Sequence, residues 1–468
     1  MFNNPFRYLD IKYLYILGLI FIFILGFHNY ILSSKNFILI NFILLIHSFF
    51  FFDYLKNEKD QTQFPVLLVI SSYIFFSYTL SFYLANKDFF YTDFTNEILT
   101  KSLVILIIAC CALYLGYYIS RKLFSLRITR IFYFDKISKD KIRILFFSLI
   151  LMTIIIFLLL TQKFSSLTFI NQLKEPVIFF TLGLNLLMII KKDMNLFFLY
   201  ALFLISLSLI IFLEIISGAL ILVFSILIFL SLIQLIITKR LSIILCLIFI
   251  FFLIFAPMLK NQVRSLTWNA NFNFFEKIII INEAVDNKSL NLKFNNSGFM
   301  ARLFHPMNSL NIVSKLTPLN VPFYEGGSYK FLYAHFIPRF IWKNKPKEEW
   351  GNFWGKRYNE VASNDKTTSW NFPVINEFYA NFGMAGVAFG MFLLGFLAKF
   401  LASKLNVQKS SDIEFLVCAT ILFNFFFLEN NLGQLIGRIF NQIIFFNILF
   451  LLYFLTCKYF TRTYKNIF

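Results

Sequence analysis

Apolar residues along this chain fall into long blocks, with little of the short-range alternation expected of a half-buried sheet. Apolar runs are read at 11–32, 37–55, 64–84, 102–120, 144–161, 176–190, 195–213, 215–237, 241–259, 379–402, 413–430 and 435–457. Most reach about 18 residues, enough for a helix to cross roughly 30 Å of hydrocarbon. The pattern predicts an all-α integral membrane protein with about 12 transmembrane helices. The first run, Ile11 to Leu32, lacks a small-residue cleavage site and reads as an anchor.

One stretch, 260–377, has no spanning run, so the chain divides into three parts. Residues 1–259 form an N-terminal transmembrane bundle of about nine helices, 260–377 a large loop, and 378–468 a C-terminal group of about three helices. Six of the ten prolines lie in the loop: Pro306, Pro318, Pro322, Pro338, Pro346 and Pro373. Prolines end helices and set turns, which predicts a subdomain of short helices. A long segment of this kind is a natural place for function.

Composition agrees with the block pattern. Hydrophobic residues make up 59% and charged residues 14%, which leaves too little polar surface for a soluble domain of this length. The net charge of +19 invites a nucleic-acid reading, but its distribution argues against one. Cations collect in alternate connections, most densely at Arg121, Lys122, Arg127, Arg130, Lys136, Lys139, Lys141 and Arg143. The positive-inside bias then places that side, and both termini, in the cytoplasm and the 260–377 loop outside it. The expected location is the cytoplasmic (inner) membrane of a bacterium, as a multi-pass protein.

The five cysteines all lie in apolar runs and the four histidines are scattered, so neither a disulfide framework nor a metal site is expected. No cofactor is expected either. Within 260–377 there are 15 Lys and Arg against 9 Asp and Glu. Long loops escape the positive-inside rule, which accounts for the surplus without a ligand; an anionic ligand at the outer leaflet accounts for it equally.

Three stretches carry the candidate chemistry. Gly326-Gly327-Ser328-Tyr329 precedes Phe336-Ile337-Pro338-Arg339-Phe340-Ile341-Trp342-Lys343-Asn344-Lys345-Pro346. Two prolines there restrict the directions in which Arg339, Lys343 and Lys345 point. Arg clamps a phosphate with paired donors and Lys adds a compact charge. The same stretch also fits a basic segment lying on headgroups with Trp342 as its anchor. Downstream, Glu377-Phe378-Tyr379-Ala380-Asn381-Phe382-Gly383-Met384-Ala385-Gly386 leads into a span, with Gly386 and Gly390 on one helix face suited to close packing. Glu377, at the point of re-entry, fits either a general base or the partner of a loop Arg.

Arg302 and His305 lie three apart, on one face if that piece is helical. His305 fits either the acceptor of a hydroxyl proton or a hydrogen-bonded packing residue. Arg264 follows the ninth span, and Arg438 lies near the outer end of the last one, where pairing with Glu429 is the plain expectation.

Taken together, the Gly-x-Ser-Tyr, Phe-Ile-Pro-Arg-Phe-Ile-Trp-x-x-Lys-Pro and Glu-x-Tyr-x-Asn-Phe-Gly-x-x-Gly runs resemble the bacterial O-antigen (oligosaccharide repeat-unit) polymerase family. The motif-level resemblance covers about 326–395. Lys343-Asn344 stands where that pattern has a proline after the Trp. The resemblance implies an integral-membrane glycosyltransferase that moves a growing glycan from its undecaprenyl-diphosphate carrier onto the next lipid-linked unit. It implies catalytic roles for Arg339, Lys345, His305 and Glu377, and substrate binding by Arg264, Arg302, Lys343, Tyr329 and Arg438. Its partners would be undecaprenyl-diphosphate-linked glycans, membrane lipids, and a chain-length regulator and flippase of the same pathway. The alternatives are an O-antigen ligase, which uses the same donor, and a lipid-linked oligosaccharide flippase or transporter.

Overall fold

A computed structural model describes residues 8–9, 34–56, 64–81, 94–124, 168–191, 221–238, 241–242, 296–337, 349–366, 368–405 and 412–465, with a few isolated positions between them. The described elements are helical except for a two-residue antiparallel pairing of β1 (Tyr8–Leu9) with β2 (Leu241–Ser242). The helices are α1 (Ser34–Lys56), α2 (Val66–Ile74), α3 (Asn96–Leu123), α4 (Thr168–Lys191), α5 (Ile221–Thr238), α6 (Asn296–Leu316), α7 (Trp350–Arg357), α8 (Val374–Lys404), α9 (Asp412–Leu422) and α10 (Leu432–Lys465). A π-helical turn, Phe75–Thr79, continues α2, and a 3-10 turn, Phe423–Phe426, continues α9.

Four helical segments are long and apolar enough to cross a membrane: Lys35–Tyr54, Asn96–Leu123, Val374–Lys404 and Leu432–Leu449. Four shorter apolar helices, Val66–Thr79, Glu175–Ile190, Leu222–Thr238 and Glu414–Phe426, accompany them. The protein is therefore a helical membrane protein. These segments coincide with eight of the twelve runs read from the sequence. The runs at 11–32, 144–161, 195–213 and 241–259 lie wholly or mostly outside the described residues.

The ends of α3 carry the expected signals. The Thr95 hydroxyl accepts the Ile98 amide, Glu97 occupies the first turn, and Arg121 and Lys122 occupy the last. Each charge complements the partial charge of the helix end beside it. In its middle α3 meets α8 backbone to backbone. A Cβ on Gly116 would lie 2.0 Å from the Phe392 carbonyl oxygen, and one on Gly395 would lie 2.1 Å from that of Leu113. The two glycines are thus a reciprocal pair that lets the helices touch.

The structure departs from the sequence reading at α6. That segment was expected to hold only short helices, yet α6 runs 21 residues and packs among α3, α8 and the Phe75–Thr79 turn. Phe304, Met307, Leu310 and Val313 bury one stripe, but Asn308, Ser309, Asn311 and Ser314 are buried too. Two of these polar groups find partners on neighbouring helices: the Ser314 and Ser102 hydroxyls are 3.0 Å apart, and Asn376 donates to Ser309 at 2.6 Å. Lys101 donates to the carbonyls of Ser314 (2.6 Å) and Thr317 (3.4 Å), closing the C-terminal end of α6. A hydropathy scan reads such a helix as loop because its buried face is half polar.

Beyond α6 an aromatic cluster replaces an aliphatic core. Trp354, fully buried, stacks on Phe372 at 4.5 Å, with Tyr324, Phe353, Tyr358 and Trp370 around it. The Tyr358 hydroxyl sits 2.8 Å from that of Thr317 and ties α7 to the end of α6. Burial pushes the Tyr358 pKa up to about 12, with the Thr317 hydrogen bond acting in the opposite direction.

The α3–α8 contact yields a matched test. Gly116→Ala places a methyl group into backbone and should cost at least about 1–3 kcal/mol, the usual range for overpacking. Gly183→Ala meets no backbone, only the side chains of Leu416 at 3.0 Å and Phe229 at 3.2 Å, and should cost less. Thermal unfolding in detergent compares them; equal melting temperatures would remove the α3–α8 contact from the list of structural determinants.

Candidate functional site

The helix α8 is broken. Phe382 (φ −140°, ψ 17°) and Gly383 (φ +64°, ψ −148°) leave the helical region, separating a limb at 374–381 from one at 384–404. In a continuous helix Phe378 and Gly386 would be about 12 Å apart along the axis. Instead a Cβ on Gly386 would lie 2.4 Å from the Phe378 carbonyl oxygen, and one on Gly390 would lie 2.6 Å from the Phe378 ring. The chain folds back on itself. The glycine face that the sequence assigned to helix packing therefore receives the preceding limb of its own helix. The second limb, about 31 Å long at 1.5 Å per residue, is still long enough to span.

A break of this kind exposes the last carbonyls of the first limb, and a turn from the large loop satisfies them. The Tyr324 amide donates to the Ala380 carbonyl at 3.0 Å and the Glu325 amide to that of Asn381 at 3.2 Å. The Asn381 side chain completes the junction. Its Oδ1 accepts from the Gly326 amide (3.0 Å), while its Nδ2 donates to Ser328 Oγ (3.0 Å) and to the Glu377 carbonyl (2.8 Å). The turn needs a left-handed backbone at Glu325 (φ +48°) and Gly326 (φ +77°). The two segments interlock: a Cβ on Gly326 would meet the Phe382 ring at 2.9 Å, and one on Gly383 would meet the Phe323 ring at 3.0 Å.

Every residue of 374–381 is buried, and successive side chains reach different elements. Asn376 accepts from the Tyr78 hydroxyl (3.2 Å) beside its bond to Ser309. Glu377, 1% exposed, accepts from the Leu432 amide at 2.8 Å, at the first residue of α10. Asn431 caps the same helix by accepting from the Gln434 amide (2.8 Å). Tyr379 lies under the Lys101 ammonium, 5.6 Å from its ring centroid. The Tyr329 hydroxyl is buried, with the Ser328 and Asn381 side chains beside it. Burial first, then the Glu377 carboxylate, raises its pKa above the usual tyrosine value.

Of the candidates read from the sequence, Tyr329 and Glu377 come together around Asn381. Lys345 donates to the Ile337 carbonyl at 3.2 Å and so closes the loop that contains Arg339. His305 lies half-buried on α6, its ring 5.9 Å from that of Trp370, one turn before Ser309. Arg302 is helical and one turn before His305, as expected, but its side chain lies outside the described residues. Arg264, Arg339 and Lys343 lie outside them altogether. The expected Arg438 partner is corrected: its guanidinium pairs with Glu175 of α4 at 3.2 Å and sits 5.2 Å from the Phe427 ring centroid, while Glu429 accepts from the Asn371 amide. The reason is connectivity, since the turn after α9 carries Glu429 back toward the start of α8.

Residues the sequence did not single out also occupy the site. Asn381 was part of a quoted motif and is its central hydrogen-bonding side chain. The imidazole of His335 lies against Gly433 and Gly437 of α10, where a Cβ would come within 2.4 Å and 2.9 Å of its nitrogens. The Gly-x-x-x-Gly spacing at 433–437 was the available signal, but nothing in the sequence indicated that a side chain would fill it. Among the described residues no group of three His, Cys, Asp or Glu is placed to hold a metal ion.

The chain matches the family described as "Domain of unknown function (DUF8712)" over residues 61–462. No curated protein and no solved structure matches it.

The junction makes a mutational prediction. Asn381→Ala removes an acceptor from Gly326 and a donor from Ser328 and should cost about 1–3 kcal/mol, the range for buried hydrogen-bonding groups left unpaired. Glu377→Gln keeps an acceptor for the Leu432 amide and should be milder than Glu377→Ala. Thermal unfolding with limited proteolysis of the 318–345 stretch reads both effects, and an unaltered cleavage pattern in Asn381→Ala would contradict the assigned role.

Proposed function

The chain belongs to the DUF8712 family, and we propose that it polymerises undecaprenyl-diphosphate-linked oligosaccharide repeat units into a surface polysaccharide, O-antigen or a related glycan. The reaction takes place at the outer face of the bacterial cytoplasmic membrane. One observation carries the reading beyond the resemblance itself. The Gly-x-Ser-Tyr and Glu-x-Tyr-x-Asn-Phe-Gly stretches, some fifty residues apart, are one hydrogen-bonded unit around Asn381.

In this reading about twelve helices span the membrane, both termini are cytoplasmic, and the 260–377 loop is extracytoplasmic. An acceptor hydroxyl attacks the anomeric carbon of the donor glycan, the bond from that carbon to the diphosphate oxygen breaks, and the hydroxyl proton passes to His305. Arg339 and Lys345 stabilise the charge that develops on the departing lipid diphosphate. Arg264, Arg302, Lys343 and Arg438 hold the anionic carrier, and Tyr329 offers its buried hydroxyl as a donor. Glu377 acts as a positioning residue through the start of α10. No metal enters the scheme. A chain-length regulator and a flippase of the same pathway are its proposed protein partners.

The test is polymerisation of a lipid-linked repeat unit by purified protein with a chelator present. A glycan ladder is expected from wild type and a loss of about 10²–10³-fold from Arg339→Ala, the range seen when a preorganised charge-stabilising donor is removed. No ladder from wild type, with the native repeat unit verified in the assay, would sink the polymerase reading. Transfer to a lipid A core acceptor would then assign a ligase.

A further inference from the structure

His47 lies in the middle of α1 and is buried. A histidine inside a membrane span is costly unless it has polar partners, and it marks a place to look for a task. The partners here are two hydroxyls of the helix that follows. Nδ1 lies 2.6 Å from Ser71 Oγ on α2, and Nε2 lies 3.4 Å from Thr79 Oγ1 on the π-helical turn that continues it. Phe50 and Phe75 meet the ring edge-on, with centroids at 6.3 Å and 5.7 Å.

One ring reaches both hydroxyls because of that turn. Each residue of an α-helix turns about 100°, so Ser71 and Thr79 would point about 80° apart in a regular helix. Tyr78 would then be the residue within about 20° of Ser71, facing α1. The turn at Phe75–Thr79 instead closes from the Leu80 amide to the Phe75 carbonyl and so holds one extra residue. The extra residue moves Thr79 onto the face of Ser71, toward His47, and carries Tyr78 about 120° round the helix. There the buried Tyr78 hydroxyl donates to Asn376 Oδ1 at 3.2 Å, next to Glu377 in the first limb of α8. The width of this turn thus decides whether the limb keeps Tyr78 as a partner. We infer that His47 is a positioning residue for the buried limb 374–381: its Nε2 holds Thr79, and with it the π-helical turn that delivers Tyr78 to Asn376. The Nδ1 contact with Ser71 anchors the ring. Its effect on catalysis rests on the polymerase reading, in which His47 sets the placement of Glu377 and Asn381 without touching substrate.

The test is hydrogen exchange of the full chain in detergent, read on the amides of 374–381. His47→Gln sets its amide where Nε2 stands and should keep wild-type protection. His47→Asn sets its amide where Nδ1 stands and loses Thr79. It should exchange about tenfold faster across the limb, the effect of one hydrogen bond lost. Thr79→Val should match it, while Ser71→Ala should leave the limb protected. Tyr78→Phe should loosen the limb equally, and combining it with His47→Asn should add nothing, because both act on one contact. Equal exchange in His47→Gln and His47→Asn would overturn the inference. So would loosening by Ser71→Ala as large as by Thr79→Val, or additive effects of His47→Asn and Tyr78→Phe. In the polymerisation assay the loosened variants should lower kcat and leave KM unchanged; an unchanged kcat would reduce His47 to a packing residue. A wild type without a glycan ladder would remove the polymerase reading, and the exchange result would still decide what His47 holds in place.

Discussion

Peptide groups cannot be left without partners in a membrane protein, and the break at Phe382–Gly383 creates several at once. The first limb of α8 ends inside the protein, so its last carbonyls must be met by something other than the next helical turn. The Tyr324–Gly326 turn meets them, and Asn381 closes the same junction from the side-chain direction. Much else follows from this one requirement. The turn must adopt a left-handed backbone, the loop from α6 must return to this point, and Phe378 must lie against the glycines of the second limb. The eight residues of the limb then form a buried hub: Asn376 reaches both Tyr78 and α6, Glu377 reaches α10, and Tyr379 meets Lys101 of α3.

A hub of this kind links the electrostatics of the site to its architecture. Glu377 is withdrawn from solvent and accepts a backbone amide at the start of α10, where the helix carries positive partial charge. A carboxylate so held fixes the relative position of two helices and the turn carrying Tyr329. Arg438 of α10 pairs with Glu175 of α4. In the described part of the site the charged groups thus mostly set geometry.

The sequence announced the membrane helices because their apolar runs are long and their ends are charged, as in α3 with Glu97 at one end and Arg121 and Lys122 at the other. It did not announce α6, whose buried face is built from Asn and Ser as much as from Phe and Leu. Hydropathy measures transfer of a side chain to oil, whereas Ser309 and Ser314 are transferred to partners. The site was legible in part. The motif containing Asn381 was visible, but its role depends on a backbone break that a run of helix-compatible residues conceals; Gly383 alone gave a hint. Glu377 was recognised as unusual, yet its partner is a main-chain amide, which no reading of side chains identifies. The Arg438 partner was misassigned because proximity along the chain favoured Glu429, whereas the fold brought Glu175 to it from more than 250 residues away.

The reciprocal contact of Gly116 and Gly395 also bears on how the protein is made. These residues are separated by about 280 positions, and at 5–20 residues per second the ribosome needs roughly 15–55 s to produce the second after the first. During that interval α3 has entered the bilayer with its glycine groove facing lipid or the insertion machinery. The N-terminal helices must therefore persist as an incomplete bundle until α8 arrives. Biogenesis of this chain is completed from its C-terminal end, and truncations before α8 would release a bundle with an open groove.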